Sequence, residues 1–222
     1  MLNNKERKLE RMRSGLADSV NISMYNLVIG AMLLYGFVVN AAMVAFCGDI
    51  FINMNPIVFI IGYFISAIAG SIIAMKSSNP VISFVGYNLV VLPIGALLSI
   101  CLPGFSAGDI ISAMVATGIV TLIMTGAAVA FPNVFAGMGR SLFISLLLGL
   151  IVEIIASLLG YNGNIFNWFF VIIFSCYIGY DWHKAQMYPK TIDNAIDSAI
   201  DIYLDIINIF IRLLEIFAKS RD

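Results

Sequence analysis

The side chains with chemistry to offer in this chain are carboxylates set inside apolar sequence. Asp181 follows a run of apolar residues, and Asp193, Asp197, Asp201 and Asp205 then recur at every fourth position. An α-helix turns once in about 3.6 residues, so this spacing lines the last four along one slowly drifting face. Ionisable groups at membrane depth cost free energy and mark a functional site by default. Two carboxylates brought close in a low-dielectric site cannot both ionise cheaply, so they titrate as a unit. A shared proton links them, and its loss makes them repel. Asp181 and Asp205 are the candidates for such a proton sensor. Asp201, Asp197 and Glu153 are candidates for an ion pathway, although Glu153, deep in its own segment, could equally hydrogen-bond a neighbouring helix. Counting about 1.5 Å per residue, Asp181 lies roughly 9 Å from a helix end at Met187 and Asp205 roughly 20 Å from a start at Ile192. Bringing them level therefore requires tilt or a later start, and the sequence leaves their contact open.

The elements that must position these acids are membrane helices. Hydrophobic residues make up 61% of the 222 and charged ones 11%, with a mean hydropathy of +0.98. A typical soluble domain is about 45–50% apolar and about 25% charged. The net charge of −1 points neither to nucleic acid nor to an acidic tail. Cys47, Cys101 and Cys176 are far apart and sit in or beside apolar runs. They have neither zinc spacing nor a disulfide framework and read as buried thiols. No cofactor is implied.

Charges and prolines punctuate the chain. Residues 1–20, with Lys5, Arg7, Lys8, Arg11 and Arg13, read as a basic cytoplasmic tail, because the apolar run that follows is long enough to span rather than a short signal core. Residues 21–222 read as one membrane domain. Its expected spans run from Met24 to Cys47, from Pro56 to Met75, from Val81 to Leu102, from Ile110 to Ala130, from Arg140 to Leu159 and from Ile165 to Met187. Gly108-Asp109 is expected to cap the fourth, and a turn at Gly160-Tyr161-Asn162-Gly163-Asn164 separates the fifth from the sixth. Tyr188-Pro189 must end the sixth, since the residue before proline disfavours α geometry. The acid-bearing segment, Ile196 to Phe217, comes last. Trp168 and Trp182 suit interfacial anchoring, and His183 reads as a solvated residue near an interface.

Orientation follows from the basic residues. With the N-terminus inside, Lys76, Arg140, Lys184 and Lys190 all fall in cytoplasmic loops. The last segment is long enough to cross, against about 20 residues needed, which would put Lys219 and Arg221 outside. A re-entrant path would keep them inside, and crossing is the favoured reading. A helix bearing Asp197, Asp201, Asp205, Arg212 and Glu215 cannot face lipid along its length, so it should be central, wrapped by the other six. Small residues at four-residue spacing allow close approach of membrane helices. Gly62, Ser66, Gly70 and Ala74 form one such stripe, and Ala113, Thr117, Thr121 and Thr125 another.

The run Ala199-Ile200-Asp201-Ile202-Tyr203-Leu204-Asp205-Ile206-Ile207-Asn208-Ile209-Phe210, with Tyr180-Asp181 before it, resembles the Bax inhibitor-1 family. The resemblance covers nearly the whole chain and suggests a bacterial member. It implies an all-α fold of seven transmembrane helices with the C-terminal helix surrounded by two three-helix layers. It also implies a pH-sensitive calcium leak channel in which the residues matching Asp181 and Asp205 form the sensor holding the pore closed. Animal relatives suppress cell death, and a bacterial one is linked to membrane-protein quality control. One departure stands out. The family's bacterial pattern has a basic residue in the second helix tied to the aspartate pair, and the second span here has none before Lys76.

Other classes weigh less. Intramembrane aspartyl proteases pair aspartates on adjacent helices, and Tyr180-Asp181 fits half of that pattern. Their Gly-x-Gly-Asp half is missing, because Ile202-Tyr203-Leu204 precedes Asp205. A proton-coupled transporter would be expected to show an inverted pair of Gly/Pro-broken helices. The expectation is thus a non-enzymatic calcium leak channel in a bacterial cytoplasmic membrane, with lipid, calcium and protons as partners. The alternatives are a non-conducting membrane regulator of membrane-protein quality control or cell death, acting on membrane proteases or other membrane proteins, and a proton-coupled transporter.

Overall fold

A computed structural model describes residues 19–161 and 163–220. The basic residues of the expected tail, Asn162 and Arg221 lie outside the described residues. The regular structure is helical apart from an isolated bridge between Ser19 and Thr191. The long helices are α1 (Ile22–Phe46), α3 (Pro56–Lys76), α4 (Pro80–Cys101), α5 (Ala107–Ala130), α7 (Gly139–Leu158), α8 (Ile165–Met187) and α9 (Ile192–Lys219). Two single turns, α2 (Gly48–Phe51) and α6 (Pro132–Phe135), lie between them. Among the described residues, six helices are long and apolar enough to cross a membrane: α1, α3, α4 with its 3-10 extension, α5, α7 and α8. Their large apolar side chains are widely exposed, as lipid-facing surfaces require.

Local chemistry sets the helix ends. Asn55 and Asn79 each accept backbone N–H bonds at the start of α3 and α4, with proline next in the first turn, where a missing N–H costs nothing. Ser106 caps α5 by accepting from Asp109 N, and its hydroxyl donates to the Asp109 carboxylate at 2.6 Å. The cap therefore lies two residues before the expected Gly108-Asp109. Gly160, at φ +82°, makes the turn after α7 in a left-handed conformation that suits glycine. Thr191 Oγ1 accepts from Asn194 N and opens α9 earlier than the expected Ile196.

The chain divides into two compact units. The first holds the described residues up to Pro103 together with Met187–Ile200. Here α3 and α4 meet backbone to backbone: a Cβ on Gly70 would stand 2.5 Å from the Gly86 carbonyl oxygen and 2.8 Å from Leu89 Cβ. Ser66, Gly70 and Ala74 of the predicted stripe serve this packing, whereas Gly62 faces open space. Pro93 inside α4 lacks the N–H that Leu89 O would otherwise accept, and Ser66 Oγ donates to that oxygen at 2.8 Å. Tyr87, fully buried, donates to Met32 O at 2.6 Å.

The second unit comprises Gly104–Gln186 and the chain from Asp201 onward. Its glycines admit aromatic rings. Gly139 lies against Tyr180 and Gly179 against Phe135, so any side chain at either position would have to displace a ring. On α5, Ala113 and Thr117 are buried, as their stripe predicts. Helix α9 contributes to both units, and none of its residues from Ile192 to Ala218 is exposed.

Candidate functional site

The acids of α9 divide between the units. Asp193 and Asp197 fall in the first, Asp201 and Asp205 in the second. Asp193 is buried and accepts from Ser83 Oγ at 2.6 Å. Nearby, Tyr25 Oη lies 3.1 Å from Ser198 Oγ, and the Lys190 ammonium stands 4.6 Å above the Tyr25 ring. Burial lowers the pKa of Lys190, which sits in the turn between α8 and α9. Asp197 belongs to the same unit, so the first unit sets hydroxyls and carboxylates together with the Lys190 ammonium.

The second unit contains the predicted pair. Asp181 of α8 and Asp205 of α9 are both buried, and their side chains lie within hydrogen-bonding reach of each other. Two carboxylates bond only if one carries a proton. Asp205 Oδ2 is buried with no hydrogen-bond partner among the described residues. The contact forms although α9 begins at Ile192, so a later start is not what brings the two acids level.

A cation stands beside them. Lys184, one turn beyond Asp181 on α8, places Nζ 2.7 Å from Asp201 Oδ2 and 3.5 Å from Asp181 Oδ1. Sequence reasoning used Lys184 only as a loop charge for orientation. The signal was present in the i,i+3 spacing from Asp181, which puts both side chains on one helix face. Asp201 is thereby brought into the same cluster as the pair.

Glu153 takes the hydrogen-bonding role left open for it. Both of its carboxylate oxygens accept from the Arg212 guanidinium, which also donates to Asn167 Oδ1 at 2.9 Å and lies 4.3 Å from the Phe170 ring centroid. This pairing too was missed, although a lone acid and a lone guanidinium deep in apolar helices each call for a partner. Beyond it opens a cavity of about 370 Å³ lined by Glu153, Tyr161, Asn167, Glu215 and Lys219 among others.

Six helices long and apolar enough to cross a membrane among the described residues, with a further helix carrying buried acids, mark an integral membrane protein. The family model described as inhibitor of apoptosis-promoting Bax1 matches residues 18–222, and the chain belongs to this Bax inhibitor-1 family. Two proteins of Helicobacter pylori, from strains 26695 and J99 and both described as uncharacterized, are each 32% identical over 130 residues. That stretch is 57% of this chain and 55% of each relative, so the chain spans about half the length of the curated relatives it matches.

Proposed function

We propose that the protein is a pH-sensitive cation leak channel, passing calcium, whose gate is the Asp181–Asp205 pair. The observation that carries this reading is the buried carboxylate contact between α8 and α9, which forms only with a proton in place. Protonated, the pair ties the two helices together; deprotonated, two adjacent anions repel. In this reading α9 is a seventh crossing with the other six spans around it, supported by the absence of exposed residues from Ile192 to Ala218. Residues 21–222 act as one membrane domain, in a bacterial cytoplasmic membrane with the N-terminus inside. Asp201, drawn into the cluster by Lys184, contributes to the ion pathway beside the pair. Calcium is cargo rather than cofactor, and no reaction is catalysed.

Calcium uptake into dye-loaded liposomes between about pH 6 and pH 8 tests this, a range chosen because paired buried carboxylates titrate above the ordinary carboxylate range. Asp181→Asn and Asp205→Asn should each change the flux and flatten its pH profile, and the double variant should add little, because the two act as one unit. Flux with an unaltered pH profile in both single variants would remove these aspartates from the gate. A second reading, a non-conducting membrane regulator, draws on the family's description as an inhibitor of an apoptosis-promoting protein. Absence of flux from the unaltered protein would favour it.

A further inference from the structure

The cavity beside the Arg212–Glu153 pair lies wholly within the second unit, formed by the end of α7, the turn after it, the start of α8 and the end of α9. At about 370 Å³ it falls within the range of small-ligand sites, about 300–1,000 Å³. Local structure fixes one wall. The Tyr161 ring packs edge-on against Phe166 with centroids 6.1 Å apart, and a Cβ on Gly163 would stand 2.5 Å from the Tyr161 hydroxyl, so glycine lets the ring fold back over the turn. The two acids of the lining differ. Glu153 is neutralised by the Arg212 fork, whereas Glu215, half-buried, makes no hydrogen bond or ion pair among the described residues. Lys219 follows Glu215 by four residues on α9, about 6 Å further along the axis and on the same face. Another part of the wall is apolar: Ile154 and Leu158 line the cavity and are 59% and 82% exposed on the surface of a membrane-length helix. The cavity thus joins an acid and a base one turn apart to an apolar face open to lipid.

We propose that this cavity is the headgroup site of an aminophospholipid: the primary ammonium meets Glu215, the phosphate stays at the rim by Lys219, and the acyl chains lie along the Ile154 and Leu158 face of α7. A half-buried carboxylate without a partner calls for a cation, and the three N–H donors of a compact ammonium serve both of its oxygens. The Tyr161 and Phe166 rings add faces that attract an ammonium. Two carbons separate ammonium from phosphate in an ethanolamine headgroup, a link that fits an acid and a base one helical turn apart. A soluble amine would leave the apolar wall uncovered, whereas a lipid covers the whole lining. The inference is independent of the gate, since it uses neither Asp181 nor Asp205.

Native mass spectrometry of the full chain tests this, in detergent micelles supplied with equal amounts of phosphatidylethanolamine and phosphatidylglycerol, which share the phosphate and differ in the ammonium. The last lipid released on collisional activation should be phosphatidylethanolamine, retained about tenfold over phosphatidylglycerol, the factor expected for one charge-assisted hydrogen bond. Glu215→Gln keeps the shape of the side chain and removes its charge, and should abolish the preference. Ser157→Trp, which fills the cavity from the exposed side of α7, should abolish it too. Equal retention of the two lipids by the unaltered chain would overturn the proposal, a result that needs no variant to fold. A preference that survives both substitutions would do the same, by placing the lipid elsewhere. Phosphoethanolamine, the headgroup without acyl chains, should displace the lipid only in large excess. Displacement at equal concentration would make the occupant a soluble zwitterion and overturn the lipid assignment.

Discussion

The two units solve the problem of polar groups at membrane depth in different ways. The first meets several of them with small and neutral partners, with the Lys190 ammonium over the Tyr25 ring as its cation. Ser66 serves the carbonyl freed by Pro93, Ser83 serves Asp193, Tyr25 meets Ser198, and two glycines let α3 and α4 touch backbone to backbone. The second satisfies them with ions. Arg212 holds Glu153, Lys184 holds Asp201 and Asp181, and Asp181 meets Asp205. Neutral hydrogen bonds between membrane helices contribute modestly and do not depend on pH or on competing ions. Buried charges are costly when unpaired, so they respond strongly to a lost proton or a lost partner. The contrast is one of means: hydrogen bonds to hydroxyls and close backbone contact in the first unit, ion pairs in the second.

Substitutions that exchange the two strategies should break or sharpen this contrast. The largest effect is expected in the second unit. Arg212→Met leaves Glu153 without its counter-ion, and with both side chains only a fifth to a quarter exposed the loss should be about 3 kcal/mol. Pairing it with Glu153→Met should recover most of that loss, read as the denaturation midpoint in micelles. A double variant as unstable as the single would mean that packing, not charge, holds this site. In the first unit size should matter more than charge. Gly70→Ala drives a methyl group into the Gly86 carbonyl and should cost about 2 kcal/mol in the same measurement, as overpacking does. A neutral result would show that α3 and α4 can separate freely. Ser66→Ala should have the smallest effect, about 0.6 kcal/mol, the typical worth of one interhelical hydrogen bond in a membrane protein. A loss as large as that of Arg212→Met would erase the distinction between the units.

Much of the fold could be read from punctuation. The Asn-Pro pairs at 55–56 and 79–80 predict the starts of α3 and α4 because an asparagine cap and a first-turn proline are strictly local devices. Ile165 and Met187 bound α8 as expected, since Tyr188-Pro189 forbids continuation. The single turns α2 and α6 were not legible, being too short to generate a period of their own. Within the site, Asp181 and Asp205 stood out because acids are rare in apolar sequence, and the structure brings them together. Lys184 and Arg212 were visible but unassigned. Partner choice depends on which helix faces which, and hydropathy carries no such information. Gly62 illustrates the converse: it shares the spacing of Gly70 without sharing its contact.

The proline in α4 also bears on how the chain enters the bilayer. Pro93 leaves the Leu89 carbonyl without an intrahelical donor, and the donor it receives belongs to the preceding helix, α3. Delivered to lipid by itself, α4 would carry into hydrocarbon a carbonyl that has yet to meet its donor, which is unfavourable. Delivered with α3, the hydroxyl of Ser66 arrives before it and waits across the tight turn at Ser77-Asn79. Biogenesis of this region is therefore easiest as a helical hairpin, released laterally in one step, with the serine acting as a chaperone written into the neighbouring segment.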